Sequence, residues 1–176
     1  MLFSLLLALA LPPAPAQAES PAKPAAAAAL PEKADDILNY KRLSPTLAVA
    51  GAPKPGFLEK LPSMGVTTVI DLRPESEGTA PEKATVEKLG LRYVQVPVTP
   101  PTFTKKDAEA VAKALAEVKN GNVLFHCSSS NRVGGVLAVL EAMKGKSVDE
   151  ALAVGRNAGL KSAPMEAAVR RVIAEP

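Results

Sequence analysis

One stretch, residues 122–143, constrains the fold of this chain more than any other. Residues 122–126 are apolar and short, as in a buried β-strand, and residues 127–132 are polar and typical of a turn. Residues 133–143 follow with the composition of an apolar helix. A strand that runs through a tight loop straight into a helix is typical of layered α/β folds, in which helices cover a mainly parallel sheet.

Strand and helix signals alternate along the rest of the chain as well. Further strands are predicted at residues 46–50, 66–72 and 91–98. A short helical piece, disturbed by Pro62, is predicted at residues 57–64. Further helices are predicted at residues 82–89, from Thr104 onwards, after Ser147 and over residues 165–173. With 176 residues the chain is long enough for one domain with a proper core. We therefore predict a single α/β domain whose central sheet has four or five mostly parallel strands flanked by helices.

The N-terminus is typical of an export signal. Residues 2–11 form a short apolar run, and Ala16-Gln17-Ala18 supplies the small-x-small pattern before a cleavage site, although no Lys or Arg precedes the run. We predict a signal peptide over residues 1–18 and export to the bacterial periplasm or the medium. An uncleaved membrane anchor is the alternative interpretation.

An Ala- and Pro-rich segment follows the predicted signal. Residues 19–33 are predicted to be a semi-rigid linker without a core of its own. The folded domain is then expected to span residues 34–176, beginning near Ala34.

Charge and composition exclude several classes of function. The net charge is only +3, the basic residues are scattered, and the chain has no tryptophan. The charge distribution therefore gives no indication of nucleic-acid binding or membrane-surface binding, and stacking of bases on aromatic side chains is not expected. We expect a monomer that acts on a small-molecule or protein-borne substrate.

Cys127 is the only cysteine in the chain, so it has no partner for an internal disulfide. The competing interpretation is a buried cysteine that fills apolar space. Its position favours reactivity, because it follows a buried strand and precedes a loop and a helix N-terminus whose amides converge on an anion. That positive field favours the thiolate, and Arg132 offers a planar fork for a bidentate oxyanion.

The predicted site therefore centres on Cys127 as nucleophile and Arg132 as anion-binding residue. The residues expected to line the bound anion, mainly through their backbone amides, are Ser128, Ser129, Ser130, Asn131, Arg132 and Val133. His126 is the only histidine, which excludes a zinc site built from several His and Cys ligands. We expect no metal and no organic cofactor.

The His126-Cys127 pair with Arg132 and the following helix resembles the loop of the cysteine-dependent phosphatases, of the dual-specificity and tyrosine type. Strands 69–73 and 90–97 match that superfamily too, and the resemblance covers about residues 36–150. It is closest to small bacterial members, including phosphatase-like modules found beside metallo-β-lactamase-type hydrolases. The resemblance implies that Cys127 attacks phosphorus, that Arg132 binds the phosphoryl oxygens and that His126 holds the loop.

The chain departs from that pattern in three places. Four residues separate Cys127 from Arg132, one fewer than in the phosphatase loop, and Val133 stands where a Ser or Thr is usual. The family's general acid is an Asp on a mobile loop, but residues 97–104 contain no carboxylate. Asp71, at the carboxyl end of its strand, is the best remaining candidate acid, followed by Asp107 and Glu75.

Three functions remain open at this point. The first is hydrolysis of a phosphomonoester through a phosphocysteine intermediate. The second is sulfur transfer through a Cys127 persulfide, because rhodanese-type loops also have a four-residue gap and thiolates leave without an acid. The third is a non-catalytic module that binds oxyanions.

Overall fold

The computed structural model describes residues 29–175 of the chain. The strands are β1 Lys41–Ser44, β2 Leu47–Ala50, β3 Val66–Asp71, β4 Arg92–Gln95 and β5 Asn122–His126. The helices are α1 Pro55–Leu58, α2 Ala80–Lys88, α3 Lys105–Ala116, α4 Asn131–Met143, α5 Val148–Asn157 and α6 Ala163–Ala174. Short 3-10 helices span Pro62–Met64 and Glu75–Glu77.

The five strands form one mixed sheet in the order β1-β2-β5-β3-β4. β2, β5, β3 and β4 run parallel, and β1 pairs with β2 in the antiparallel direction. The predicted α/β fold, with a mostly parallel sheet flanked by helices, is confirmed. β1 was not predicted, because its four residues are only partly buried and carry no run of apolar side chains.

β5 lies in the centre of the sheet, between β2 and β3. His126 at its end pairs with Ala50 of β2 and with Asp71 of β3. The carboxyl ends of three neighbouring parallel strands therefore meet at one edge, where α/β folds place their sites. The loop that begins at Cys127 emerges at this edge.

Side chains of β5 alternate between two cores, one on each face of the sheet. Val123 and Phe125 point to the face covered by α3 to α6, whereas Leu124 points to the face covered by α1, α2 and the N-terminal segment. Cys127 belongs to the first core. His126 takes the other side and lies against Glu82 of α2.

Packing at the N-terminus begins earlier than Ala34, within the predicted linker. Leu30 is only 1% exposed, and its amide donates to the carbonyl oxygen of Pro45 at 2.9 Å. Tyr40 donates its hydroxyl to the carbonyl of Pro31. An Ala- and Pro-rich composition does not reveal that one leucine within it docks on the core. The predicted signal peptide lies outside the described residues.

The helix starts follow the sequence signals closely. Thr104 with Asp107 and Ser147 with Glu150 form the capping boxes of α3 and α5. The helical piece predicted at residues 57–64, with its disturbance at Pro62, is α1 followed by a separate 3-10 turn that starts at Pro62, since proline removes a helix hydrogen bond. In residues 29–175, no helix has the length and apolar character that crossing a membrane requires.

Two glycines allow α4 and α5 to touch backbone to backbone. A Cβ on Gly155 would lie 2.6 Å from the carbonyl oxygen of Gly134 and 2.9 Å from the Cβ of Ala138. Neither neighbour is the flexible end of a side chain, so a larger residue would push the helices apart. This contact fixes α5 and the turn behind it against the helix that carries Arg132.

We predict that Gly155→Ala lowers the free energy of unfolding by about 1–3 kcal/mol, the usual cost of overpacking a core. Gly56→Ala in α1 is the matched control, because a Cβ there meets nothing within 4 Å. Urea unfolding followed by circular dichroism measures both variants. Equal stability of the two variants would contradict the close packing of α4 on α5.

Candidate functional site

Cys127 stands at the base of the loop between β5 and α4. It is only 1% exposed, and its amide hydrogen bonds to the carbonyl of Ala50 in the neighbouring strand. The loop turns sharply at Ser130, which has a φ of 66°, a left-handed conformation that is uncommon outside glycine. The Ser130 hydroxyl donates to the carbonyl of Ala158 at 2.8 Å, so the turn is tied to the end of α5.

α4 begins directly after this turn without a side-chain cap. Ser130 is its N-cap residue, but its hydroxyl is used by Ala158 and does not reach the first helical amides. The first turn of a helix leaves backbone N–H groups without intrahelical partners, and the helix dipole adds positive charge there. An uncapped N-terminus next to a cysteine is therefore suited to bind an anion.

Other loop side chains hold the loop in place from behind. Asn131 accepts hydrogen bonds from the amides of Lys161 and Ser162 through Oδ1, and its Nδ2 donates to the Ser162 hydroxyl. Asn39 donates to the carbonyl of Ser129. The side chain of Val133 is fully buried in the core. Of the residues predicted to line the anion, Ser130, Asn131 and Val133 thus use their side chains to support the loop.

Arg132 and Ser128 do face the mouth, together with a residue that the sequence analysis did not identify. Arg132 Nη1 and Nη2 donate to the two carboxylate oxygens of Glu77, at 2.6 and 2.7 Å. Nη2 also donates to the Ser128 hydroxyl, which donates in turn to Glu77 Oε2 at 2.5 Å. The carbonyl of Val98 accepts a further hydrogen bond from Nη1. The guanidinium thus holds a planar oxyanion in bidentate geometry.

The charges at this mouth stabilise one another. Burial alone would lower the pKa of Arg132, but its hydrogen bonds to Glu77 and the attraction of Cys127 and Glu77 raise that pKa above its ordinary value. The hydrogen bond from Arg132 is in turn the main reason why the pKa of Glu77 lies below its ordinary value. The carboxylate is therefore ionised at neutral pH.

Glu77 could have been found from the topology. It lies on the 3-10 turn Glu75–Glu77, which follows the carboxyl end of β3, and β3 pairs with β5 in parallel. Residues shortly after Asp71 and residues shortly after His126 must therefore meet at one edge of the sheet. Glu75, which the sequence analysis considered, is exposed, whereas Glu77 contacts the loop.

A buried network of charged and polar groups lies beneath the loop, on the side of His126. Both oxygens of Asp71 accept hydrogen bonds from Arg73, and Oδ2 also accepts one from the Tyr93 hydroxyl at 2.6 Å. Arg73 bridges from Asp71 to Glu82 of α2. Because the guanidinium lies between two carboxylates, it balances the charge of a pair that would otherwise be costly to bury.

His126 completes this network. Its Nε2 lies 2.8 Å from Glu82 Oε1 and 3.9 Å from Asp71 Oδ1, although neither ring nitrogen is aligned for a hydrogen bond within the described part of the chain. Asp71, Glu82 and His126 are close enough together to hold a metal ion. However, Arg73 already binds both carboxylates, so the residues present do not favour an additional cation.

The structure does not bring Asp71 to the mouth of the loop. Its side chain is 0% exposed, and its contacts are with Arg73, Tyr93 and the neighbourhood of His126. Burial alone would raise the pKa of Asp71, but the hydrogen bonds from Arg73, the proximity of His126 and the hydrogen bond from Tyr93 together lower it. A buried, ionised and fully engaged carboxylate is suited to hold the sheet edge together, not to donate protons to a substrate. Asp107 is likewise engaged in the capping box of α3.

Residues 97–104, where the resemblance places a mobile acid, are held by a cation from α6. Arg171 donates hydrogen bonds to the carbonyls of Pro100, Pro101 and Phe103, the last at 2.7 Å. Phe103 is buried in the core. This segment contributes the Val98 carbonyl to Arg132, but it has no carboxylate to offer.

Comparison with known proteins agrees with this geometry. Residues 39–144 match the family model described as "Beta-lactamase hydrolase-like protein, phosphatase-like domain". A beta-lactamase hydrolase-like protein of Xylella fastidiosa is 33% identical over 119 residues, which are 64% of this chain and 27% of that protein. The chain thus spans about a quarter of the length of that curated relative.

Solved structures show the same fold at lower sequence identity. A cysteine-to-serine variant of P. aeruginosa TpbA in complex with pTyr has a TM-score of 0.63 and 21% identity, and the match covers 89% of this chain and 91% of TpbA. Tk-PTP in its active form also has a TM-score of 0.63, with 19% identity and coverage of 78% and 98%. At these identities the likeness establishes the fold.

We predict that Asp71→Asn destabilises the protein by on the order of 3 kcal/mol at neutral pH, because a buried ion pair loses one partner. The folded-state pKa of Asp71 is depressed, so its contribution is present above about pH 4 and is lost as the pH falls through the folded-state value. Chemical unfolding at several pH values should show the gap between variant and wild type closing below about pH 4.

Asp35→Asn is the control for this prediction, because Asp35 is exposed and the substitution removes a charge of the same kind. It should leave the stability unchanged over the same pH range. A loss in Asp71→Asn no larger than that of the control would contradict the structural role of the buried network.

Proposed function

This chain belongs to the family of phosphatase-like domains of the beta-lactamase hydrolase-like proteins, and on that premise we propose that it is a cysteine-dependent phosphomonoester hydrolase. Cys127 is the nucleophile of this proposal, and Arg132 binds the phosphoryl oxygens. The family and the phosphatase fold of its structural neighbours support a phosphatase-like hydrolase. The curated relatives are much longer than this chain, so the activity of the whole proteins is not transferred to it.

The observation that carries the proposal is the bidentate Glu77 carboxylate on Arg132. Both terminal nitrogens of the guanidinium already hold two oxygens of one planar anion, and the same guanidinium interacts with Cys127. A phosphoryl group offers oxygens to the same two donors, and the open N-terminus of α4 adds backbone amides. The phosphorus atom is then held close to Cys127 Sγ, as in-line attack requires.

The proposed reaction has two steps. In the first, Cys127 Sγ forms a bond to phosphorus while the bond between phosphorus and the leaving oxygen breaks, and that oxygen takes up a proton. In the second, a water oxygen attacks the phosphocysteine and gives up a proton, the bond between sulfur and phosphorus breaks with its electron pair left on Cys127 Sγ, and inorganic phosphate leaves. Arg132 stabilises the charge on the phosphoryl oxygens in both transition states.

Fewer side chains assist the second step here than in the phosphatases that this loop resembles. Val133 is buried and has no hydroxyl to stabilise the departing thiolate. The Ser128 hydroxyl is the loop hydroxyl that contacts Arg132, and it is bonded to Glu77. We therefore expect hydrolysis of the phosphocysteine to limit turnover, so that the intermediate accumulates.

Sulfur transfer and non-catalytic oxyanion binding, the other two functions considered from the sequence, can be distinguished by experiments on the same protein sample. Sulfur transfer rests on the four-residue gap and on the missing acid, and the comparisons lend it no support. Sulfur transfer would give Cys127 a one-sulfur mass gain with thiosulfate and no reaction with aryl phosphates. A binding module would bind phosphate through Arg132 and turn over neither compound.

The location and the partners of the protein are part of the proposal. We propose that the protein is exported, on the basis of the apolar run and the Ala16-Gln17-Ala18 pattern, and that it acts as a monomer on phosphorylated small molecules or proteins. N-terminal sequencing of the mature protein tests the first point. Cleavage after Ala18 supports export, and an intact Met1 contradicts a cleaved signal.

We predict that the full-length protein hydrolyses p-nitrophenyl phosphate and that Cys127→Ser abolishes this activity. Rapid quenching followed by intact mass measurement should show a phosphoryl group on the wild type and none on the variant. Absence of both hydrolysis and adduct in the reduced protein would contradict a phosphatase.

We also predict that Arg132→Lys lowers kcat/KM by about 10²–10³-fold, because a lysine cannot hold two oxygens in one plane. Arg170→Lys on the outer face of α6 is the matched control, since Arg170 pairs with Glu166 at the surface. The control should keep wild-type kinetics. An equal effect in both variants would contradict the bidentate role of Arg132.

A further inference from the structure

Glu77 stands where the oxygens of a substrate would bind. Its carboxylate uses both terminal nitrogens of Arg132, so a phosphoryl group can take those donors only when Glu77 moves off them. Cys127 is only 1% exposed while Glu77 is in this position. Substrate binding therefore requires an exchange of one anion for another on the same guanidinium.

The turn that carries Glu77 can make this exchange at low cost. Residues 75–78 are exposed, and the Glu77 side chain retains 34% of its accessible surface. The turn ends at Gly78, which has a φ of 75° and open space around its Cα. Movement of Glu77 by the length of a hydrogen bond thus disturbs no core residue.

The exchange also changes the electrostatic surroundings of Glu77. In the structure the groups that face it are Arg132, the Ser128 hydroxyl and the more distant Arg73, and the hydrogen bond from Arg132 contributes most to its lowered pKa. A phosphoryl dianion on Arg132 removes that hydrogen bond and places negative charge beside the carboxylate. A nearby like charge favours the protonated form of a carboxyl group.

We propose that Glu77 is the proton donor for the leaving group, and that substrate activates it by displacing it from Arg132. This inference rests on the proposed phosphatase function and deepens it. Within residues 29–175, Glu77 is the carboxylate bound to Arg132, whereas Asp71 is buried and residues 97–104 have none.

The proton balance closes over one turnover. The displaced Glu77 takes up a proton from solvent and gives it to the leaving oxygen as the bond between phosphorus and that oxygen breaks. The resulting carboxylate accepts a proton from the water that attacks the phosphocysteine, and Cys127 leaves as the thiolate. When phosphate departs, Glu77 releases its proton and binds Arg132 again.

The first test compares two leaving groups in the full-length enzyme. 2,4-Dinitrophenoxide leaves without a proton, whereas phenoxide needs one, and general acid catalysis contributes about 10²–10⁴-fold. The rate of phosphocysteine formation, measured by rapid quenching, isolates this step. Glu77→Gln should therefore form the phosphocysteine about 10²–10⁴-fold more slowly from phenyl phosphate and at an unchanged rate from 2,4-dinitrophenyl phosphate. The rate of phosphocysteine formation from phenyl phosphate should fall in the wild type as the pH rises through the pKa of the substrate-bound Glu77, and this fall should be absent in the variant.

Glu75→Gln is the control, because Glu75 lies on the same turn and faces solvent. It should match the wild type with both substrates. An equal loss in the rate of phosphocysteine formation with both substrates in Glu77→Gln, or no loss with either, would overturn the proposal. If the wild type hydrolyses neither phosphate, the proposed phosphatase function itself has failed.

A second measurement tests the exchange without turnover. Sulfate is the probe, and Cys127→Ser is the background, so that no thiol titrates. Calorimetry in two buffers near pH 5.5, about one unit above the ordinary pKa of a glutamate, should show proton uptake when sulfate binds. Sulfate binding without proton uptake, or uptake that persists when Glu77→Gln is added, would overturn the exchange.

Discussion

The parallel pairing of β5 with β3 positions nearly everything in the site. Its register sets His126 opposite Asp71, so the chain leaves both strands at the same edge of the sheet. One strand end supplies Cys127 and the loop to Arg132, and the other supplies Arg73 and the turn with Glu77. A slip of one residue would send each of these side chains to the opposite face.

Two sets of charges then act at different depths. Beneath the loop, Arg73 lies between Asp71 and Glu82, and neither carboxylate is exposed enough to exchange protons easily with solvent. At the mouth, Arg132 holds the partly exposed Glu77. The buried set fixes geometry, because breaking a buried pair is costly. The outer set can change partners, because water can replace the hydrogen bonds that the Glu77 carboxylate loses when it leaves Arg132.

The loop itself gains rigidity from elements that follow it in sequence. Ser130 is bonded to Ala158 after α5, and Asn131 is bonded to the backbone of Lys161 and Ser162 before α6. A Cβ on Gly159 would lie 2.7 Å from that of Ser130, which shows how closely the two turns approach. A preorganised anion site needs such support, since its donors must be in place before the charge develops.

Much of the fold and part of the site could be predicted from the sequence, because they depend on the local pattern of apolar and polar residues. The strand before Cys127, the helix after it and the caps at Thr104 and Ser147 follow from apolar spacing and short-range hydrogen bonds. The α/β class followed from the alternation of these elements. β1 and the docking of Leu30 could not be predicted, since a short half-buried strand and a single leucine carry no periodic signal.

The acid was harder to predict than the nucleophile. Asp71 ends a strand at the right edge of the sheet, but the sequence does not show that Arg73 and Tyr93 form hydrogen bonds with it. Glu77 was missed because its importance depends on a contact with Arg132 across 55 residues of chain, which the register of the sheet decides.

The most direct measurement is a crystal structure of the wild-type protein with bound tungstate, a phosphate-like oxyanion. We predict that the tungstate oxygens accept hydrogen bonds from both terminal nitrogens of Arg132, that the tungsten atom lies against Cys127 Sγ, and that Glu77 has moved off the guanidinium. Tungstate bound elsewhere, with Glu77 still bidentate on Arg132, would contradict the account.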